Sequence, residues 1–383
     1  MTQEVNEAVV KAKAVVGGEA GTAGVSSVHY DRPLSDYSVQ VRQEDTEFQA
    51  ASIVGNLNSL KRQDQYYFYE PAYFMVNQVA VRAEGTEAAQ AKYGVSRRSY
   101  TTVVYGLKQP VTDELDANAD QPIEDVFLDA TRFITRQFLL NKEKQLATSI
   151  LATGVWATDW AGQDGAIVAG DTVVAAGAFQ KFSAATAKPL QVLDLAIQTV
   201  QLKSGLRPNT MVMTRSVFTV LKRNSTILTT KLYTNQNNGS DDAILDTIAS
   251  HLGLAQGSIY ILDVIEPSTS ATVDGATYKI TTDTNGYASA TEGDDATTIA
   301  NQFIGGDGIL LMYVDRNTSG RYSATAAVCA QWTGLYPDGG DLGNTQIKRY
   351  REERLNSTMV EGNTAFSYHI VAPALGIYLN DVT

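Results

Sequence analysis

One stretch limits what this chain can become. Residues 120–153, DQPIEDVFLDATRFITRQFLLNKEKQLATSILAT, read as a single long amphipathic helix. Asp120 is placed as an N-cap, since its carboxylate can accept from the exposed N–H groups of a first turn. Pro122 follows where a missing N–H costs nothing. Glu124 and Asp125 complement the positive end of the helix dipole. Apolar residues then recur at helical spacing in two rows: Ile123, Phe127, Ala130, Ile134 and Phe138, and beside them Val126, Phe133, Leu140, Ala147 and Leu151. Arg132, Arg136, Lys142, Glu143 and Lys144 are assigned to the wet side, and Gly154 to the stop. A helix over 121–153 would be a rod of about 48 Å at about 1.5 Å per residue. A rod of that length needs an equally long partner.

The rest of the chain supplies lobes rather than a second rod. Its 383 residues, 44% hydrophobic and 19% charged, suit a soluble protein with a substantial core and two or three lobes. Residues 1–27 run into Gly, Ala, Ser and Thr and read as a mobile arm. An extended segment and a short helix over about 45–61 are expected next. Six aromatics then crowd residues 66–74 (Tyr66, Tyr67, Phe68, Tyr69, Tyr73 and Phe74) with Glu70 as the one charge. Without interleaved basic residues they point to packing or partner contact rather than to base stacking. Strands are expected over 74–83 and 98–108, making a long hairpin whose tip carries Arg82, Glu84, Glu87, Lys92, Arg97 and Arg98. A lone two-stranded hairpin is marginal in water, so such an arm wants a surface to lie on.

After the long helix, residues 154–188 read as a loop or weak hairpin anchored by Trp156 and Trp160. An amphipathic helix follows from Pro189, with Leu193, Ile197, Val200 and Leu202 inward and Gly205 at its stop. Then come a short buried strand (TMVMT), a helix capped by Thr214, a helix from Asp241 and Asp242 to Gly253, and a strand (SIYILDVIE). This alternation predicts an α/β lobe around a sheet. Residues 267–300 are polar and read as a surface hairpin or inserted loop. QFIGGDGILLMYVD and RYSATAAVCAQW are strand candidates, as are KRYREERL, FSYHIVA and GIYLNDV in the tail.

Few residues offer chemistry. His29, His251 and His369 are far apart and show no metal-ligand spacing. Phosphate-cradling and nucleophile-elbow motifs are missing, and GGDG at 305–308 reads as a turn. Carboxylates gather at Asp113, Glu114 and Asp116, and again at Asp241 and Asp242. They could serve a hydrolase, but acidic residues also collect at helix N-termini for electrostatic reasons. Asp294 and Asp295 lie in a polar loop without calcium-loop spacing. The lone cysteine, Cys329, sits in an apolar run and is expected to be buried. A formal net charge of −12 and a pI near 4.8 argue against direct grip on nucleic acid. The N-terminus has no signal-peptide core, and no stretch approaches a membrane span. These residues specify no catalytic group, cofactor or metal. Long elements with no concentrated chemistry fit a building block better than an enzyme.

Three stretches carry a resemblance. TDELDANADQPIEDVFLDATRFITRQFLLNKEKQLATSILATGVW is similar to the helix region of tailed-bacteriophage major capsid proteins. SGLRPNTMVMTRSVFTVLKRNSTIL resembles that family's glycine–PNT–strand–Arg–helix segment, and TMVEGNTAFSYHIVAPALGIYLNDV its closing strands. The matches fall in the right order along the chain. Relatives often carry a His-Pro step where this chain has Arg223-Asn224-Ser225.

The resemblance implies an α+β, HK97-like capsid fold. In that reading residues 1–65 are an N-terminal arm with a short helix, and 66–108 an extended hairpin lying over a neighbouring subunit. Residues 109–188 form a peripheral domain with its spine helix over 121–153, 189–335 an axial domain, and 336–383 strands returning to the peripheral domain. It implies self-assembly as pentamers and hexamers into an icosahedral shell, in a virion made in the host cytoplasm. The shell would enclose double-stranded DNA without sequence-specific binding and without a membrane. A separate scaffolding protein, a portal protein at one vertex and a cement or decoration protein are the partners it brings. The hairpin charges are expected to make contacts between subunits. An encapsulin-type nanocompartment shell is the alternative on the same fold. A carboxylate-dependent hydrolase using Asp113 or Glu114 is the alternative of another class, and it requires a pocket and a raised carboxyl pKa there.

Overall fold

The computed structural model describes residues 48–118, 126–165, 174–175, 177–233, 241–255, 257–267, 271–273, 276–278, 280–282, 288–290, 301–316, 324–335 and 345–383. The expected N-terminal arm over 1–27 and His29 lie outside these residues. So do Asp120, Pro122, Ile123, Glu124 and Asp125 at the expected helix start, and Asp294 and Asp295.

The chain enters through a one-turn helix, α1 (Ala50–Ile53), and a strand, β1 (Gly55–Ser59). The single helix expected over 45–61 is therefore cut short. β1 instead pairs in parallel with a distant strand, β17 (Ala327–Trp332). Next come β2 (Gln63–Tyr69), α2 (Pro71–Met75), β3 (Val95–Thr101) and β4 (Val103–Thr112). The hairpin's paired strands are β2 and β3, in register from Gln63↔Thr101 to Tyr69↔Val95. That corrects the expectation of strands over 74–83 and 98–108. β4 leaves the hairpin to join the main sheet.

A short helix, α3 (Asp113–Asn118), precedes the spine helix, α4 (Val126–Ile150). Its 25 residues make a rod of about 38 Å at about 1.5 Å per residue. The helix stops before Thr153. Gly154 lies beyond it at φ +79°, in a turn closed by its N–H bonding to the Asp159 carboxylate. The buried face runs Ala130, Thr131, Ile134, Thr135, Phe138, Leu139, Lys142, Glu143, Leu146, Ala147 and Ile150. Thr131 and Thr135 tolerate this because each hydroxyl donates to the carbonyl four residues back. Two assignments are overturned. Phe133, expected inward, is 50% exposed, while Lys142 and Glu143, expected in water, are buried.

Beyond it lie β5 (Asp159–Gln163), β6 (Val174–Ala175) and β7 (Ala178–Gln180), then α5 (Pro189–Ser204). Gly205, at φ +75°, ends α5 with its N–H on the Gln201 carbonyl, the left-handed stop favouring glycine. Leu202, expected inward, is 76% exposed on the last turn. β8 (Thr210–Thr214), α6 (Arg215–Arg223), α7 (Ser225–Tyr233), α8 (Asp241–Leu252) and β9 (Ile259–Leu262) follow. Thr214 precedes α6 but does not cap it; its hydroxyl donates to the Gly306 carbonyl.

The polar region contributes short pairs: β10 (Ile265–Pro267) with β15 (Asn301–Phe303), β11 (Ala271–Val273) with β12 (Ala276–Tyr278), and β13 (Ile280–Thr282) with β14 (Ala288–Ala290). β16 (Ile309–Met312), β17, β18 (Thr345–Glu352), β19 (Ser357–Ile370) and β20 (Gly376–Asn380) complete the chain.

Two sheets organise the molecule, giving an α+β fold. One has five strands: β1, β17, β19 and β18 in order, with β4 on the other edge of β19. The other has seven, ordered β6-β7-β5-β20-β16-β8-β9. Its central strands alternate between two cores. Met211, Met213, Ile309, Leu311, Ile377 and Leu379 face a cluster with α5, α6 and α8. Val212, Leu310, Met312 and Tyr378 face a second cluster that includes Leu146 and Ile150 of α4. Burial on both faces explains why Met211–Met213, Ile309–Met312 and Ile377–Leu379 show no polar alternation.

The strand assignments correct the expected boundaries. β17, expected with the axial segment 189–335, belongs to the five-stranded sheet. β20, expected to return with the tail to the peripheral domain, sits between β5 and β16 in the seven-stranded one, as do β5–β7. Neighbouring strands in a sheet need not be neighbours in sequence.

The spine helix approaches β19 closely at Gly362. A Cβ there would lie 2.5 Å from the Phe138 ring and 2.6 Å from Ile134. Gly362→Ala is therefore expected to overpack this contact and to cost about 1–3 kcal/mol. An unchanged urea midpoint would show that the helix and sheet can part without loss.

Candidate assembly surface

The arm built by β2, α2 and β3 stands out because its apolar residues lack cover. The aromatic run Tyr66–Tyr69 suits β2 to a strand. One of its faces turns to the body: Phe68 packs on the second core, and the Arg98 guanidinium lies 3.7 Å from the Phe68 ring centroid while donating to the Val371 carbonyl at 3.0 Å. On the other face Arg97 lies 5.5 Å from the centroid of the exposed Tyr67 ring. Arg97 and Arg98 thus belong to the base of the arm, not its tip, and Arg98 is engaged within the chain.

Residues 76–94 connect α2 to β3 with no backbone ladder of their own. A side chain substitutes for one. The Gln78 amide donates to the Tyr73 and Lys92 carbonyls at 3.1 and 3.2 Å, and its oxygen accepts the Lys92 N–H at 3.1 Å. Tyr69, Phe74 and Tyr93 form a ring cluster with centroids 6.1–6.3 Å apart. Gly94 lets the Tyr73 ring lie close beside it, since a Cβ there would fall 2.9 Å from that ring. Beyond this cluster Val76, Val79 and Val81 face outward; Val79 is 86% exposed and Val81 fully so. Arg82, Glu84, Glu87 and Lys92 surround them, exposed and without ion pairs among the described residues.

Two of the carboxylates weighed as catalytic, Asp113 and Asp241, are paired with cations. Arg351 clasps Asp113 through two nitrogens and keeps its carboxyl below the usual carboxylate range. Glu114 and Asp116 lie on the same short helix, and Glu114 is exposed. Asp241 borders an open cleft of about 460 Å³ lined also by Arg215, Phe218, Lys222 and Arg223. Lys222 binds it and lowers its pKa, with Arg215 adding to the effect. A general acid needs the opposite shift, so neither Asp113 nor Asp241 shows the raised pKa that the hydrolase alternative requires. Among the described residues, the carboxyl that shifts upward is Glu143, buried inside the protein and missed by sequence reasoning.

His251 pairs with Asp194 of α5 at 3.2 Å, and His369 lies 3.1 Å from the Thr101 carbonyl. Among the described residues no group of three or more His, Cys, Asp or Glu side chains could hold a metal ion. No helix among them is long and apolar enough to cross a membrane. Cys329 is buried, and burial pushes its thiol up.

Comparison with known proteins locates the fold. No family model matches this chain, and no curated protein matches its sequence. Among solved structures, a phage-related protein from Bordetella bronchiseptica aligns with a TM-score of 0.60 at 13% identity, covering 93% of this chain and 98% of that one. The mature capsid of bacteriophage PhiM1 aligns at 0.47 and 10% identity, covering 96% and 92%. The holo-SrpI encapsulin from Synechococcus elongatus aligns at 0.43 and 10% identity, covering 97% and 95%. The first of these likenesses shows that the chain shares the fold of the Bordetella protein along nearly its whole length.

Gln78→Ala would remove all three bonds that tie residue 78 to Tyr73 and Lys92. Limited proteolysis should then cut within residues 76–94 at least several-fold faster, with the melting temperature of the body unchanged. Equal cleavage rates would show that the clamp does not hold the arm.

Proposed function

We propose that this chain is the major shell protein of a bacteriophage head. The carrying observation is an arm whose outer residues, Val76, Val79 and Val81, are mostly exposed, on a fold shared with a phage-related protein. Exposed apolar segments rimmed by charge mark contact surfaces. A heterologous contact of this kind, made by every copy with the next, closes into rings when the rotation allows. Pentamers and hexamers closing into an icosahedral shell around double-stranded DNA are the assembly this reading gives. A scaffolding protein, a portal at one vertex and a cement protein are its further partners, and the virion is its location.

The acidic balance, −12 over the whole chain, supports a wall that does not grip packaged DNA. Tight, steeply salt-dependent DNA binding by the purified protein would contradict this part. Ion pairs between copies at Arg82, Glu84, Glu87 and Lys92 belong to the same proposal. Each exposed pair contributes only about 0–1 kcal/mol, but a shell repeats every pair many times.

Electron microscopy of the purified protein, alone and co-expressed with a scaffolding protein, tests the reading. Closed shells or free rings of five and six are expected; a monomer or dimer in both preparations would overturn it. Shells carrying enzyme cargo in place of DNA would redirect it to a nanocompartment. The double variant R82E/K92E should lower particle yield at least several-fold while leaving the subunit's circular dichroism intact. Normal particles from that variant would remove the tip charges from the contact.

A further inference from the structure

Glu143 lies at the seam between α4 and the segment carrying α1 and β1, and it is 1% exposed. Its Oε1 accepts both N–H groups that open α1, from Gln49 and, at 2.7 Å, from Ala50. Its Oε2 is equally buried and has no hydrogen-bond partner among the described residues. An ionised carboxylate shares its charge between both oxygens, so ionisation would leave charge on an oxygen that nothing solvates. A neutral carboxyl suits this arrangement better: one carbonyl oxygen takes two N–H groups, and a hydroxyl without a partner costs far less than an unsolvated charge.

We propose that Glu143 is a proton-operated latch: in its neutral form it holds residues 48–59 on the spine helix, and its ionisation loosens that segment. The consequence reaches further than α1. β1 covers one edge of β17 through five paired residues, so a loosened segment uncovers a strand edge able to pair with another chain.

Other titratable groups face Glu143 from the described elements packed around it. From α4 itself comes Lys142, whose Nζ lies 5.5 Å from the Phe366 ring centroid. From β19 comes Tyr368, raised well above 10 by burial, and from β17 comes Cys329, also raised by burial. Both stay neutral between pH 5 and about 8. Phe48–Ile53, the segment docked on the carboxyl, has no titratable side chain.

Burial pushes Glu143 up to about 7 from its ordinary 4.5, outweighing the two backbone N–H groups that act the other way. The closed segment therefore binds the proton more tightly than the open one, whose carboxyl meets water. Opening is least at acid pH, rises by up to tenfold per pH unit between about 4.5 and 7, and levels off above that. The latch does not depend on the shell reading, because it lies within one subunit.

Hydrogen exchange on the full-length, unassembled subunit, corrected for intrinsic rates and followed from pH 5 to 8, tests it. Protection of the amides of residues 50–59 should fall on the order of a hundredfold across that range, while β16 stays level. Glu143→Gln, neutral at every pH, should abolish the slope. A level wild-type profile, a slope of opposite sign, or the wild-type slope persisting in the variant would each overturn the proposal. Should the variant fail to fold, the wild-type profile decides: a midpoint near 7 confined to residues 48–59 supports the latch, and a level one overturns it.

Discussion

The spine helix serves two sheets at once, and the architecture depends on that. Its first half lays Ala130, Ile134 and Phe138 on β4, β18 and β19, in a small core with Val111, Ile347 and Val360. Its second half lays Leu146, Ala147 and Ile150 into a larger core. There Val212, Leu262 and Leu310 of the seven-stranded sheet meet Cys329, Phe366 and Tyr368 of the five-stranded one. A shorter helix could complete only one of these cores. The close passage over Gly362 sets the depth at which the helix lies.

Chain connectivity binds the two sheets further. The last strand, β20, enters the seven-stranded sheet between β5 and β16, antiparallel to one and parallel to the other. The first described strand, β1, lies beside β17, more than 260 residues later in the chain. Each sheet therefore joins strands that are far apart in the chain. Contacts of such long range carry a loop-closure cost that local contacts do not. The turn of helix that leads into β1 is docked on the buried Glu143 carboxyl through the Gln49 and Ala50 N–H groups.

The arm follows a different logic. Its base is tied down by Arg98 and Phe68, while residues 76–94 are shaped by the Gln78 clamp and a ring cluster. These interactions set the arm's form without burying Val79 or Val81. A segment ordered in this way needs only to be met by a partner surface and gives up less conformational entropy when it is.

Much of this was legible in the chain. Helical spacing located the spine, capping residues located α5 and α8, and continuous apolar runs located β8, β16 and β20. Each is a local pattern, so local chemistry sufficed. The arm was recognised as a hairpin, yet its paired strands were misplaced. Val content favoured 74–83, but pairing went to residues 63–69, and pairing is a property of two segments. Lys142 and Glu143 show the limit most plainly. Their spacing from Leu139 and Leu146 put them on the buried face, but their charge argued for water. Only the tertiary structure brought the N–H groups of α1 and the ring of Phe366 to meet them. By itself the sequence determined which segments become helices and strands, because periodicity and capping act over a few residues. Which strands share a sheet, and which charges are buried, was decided by contacts between residues hundreds of positions apart.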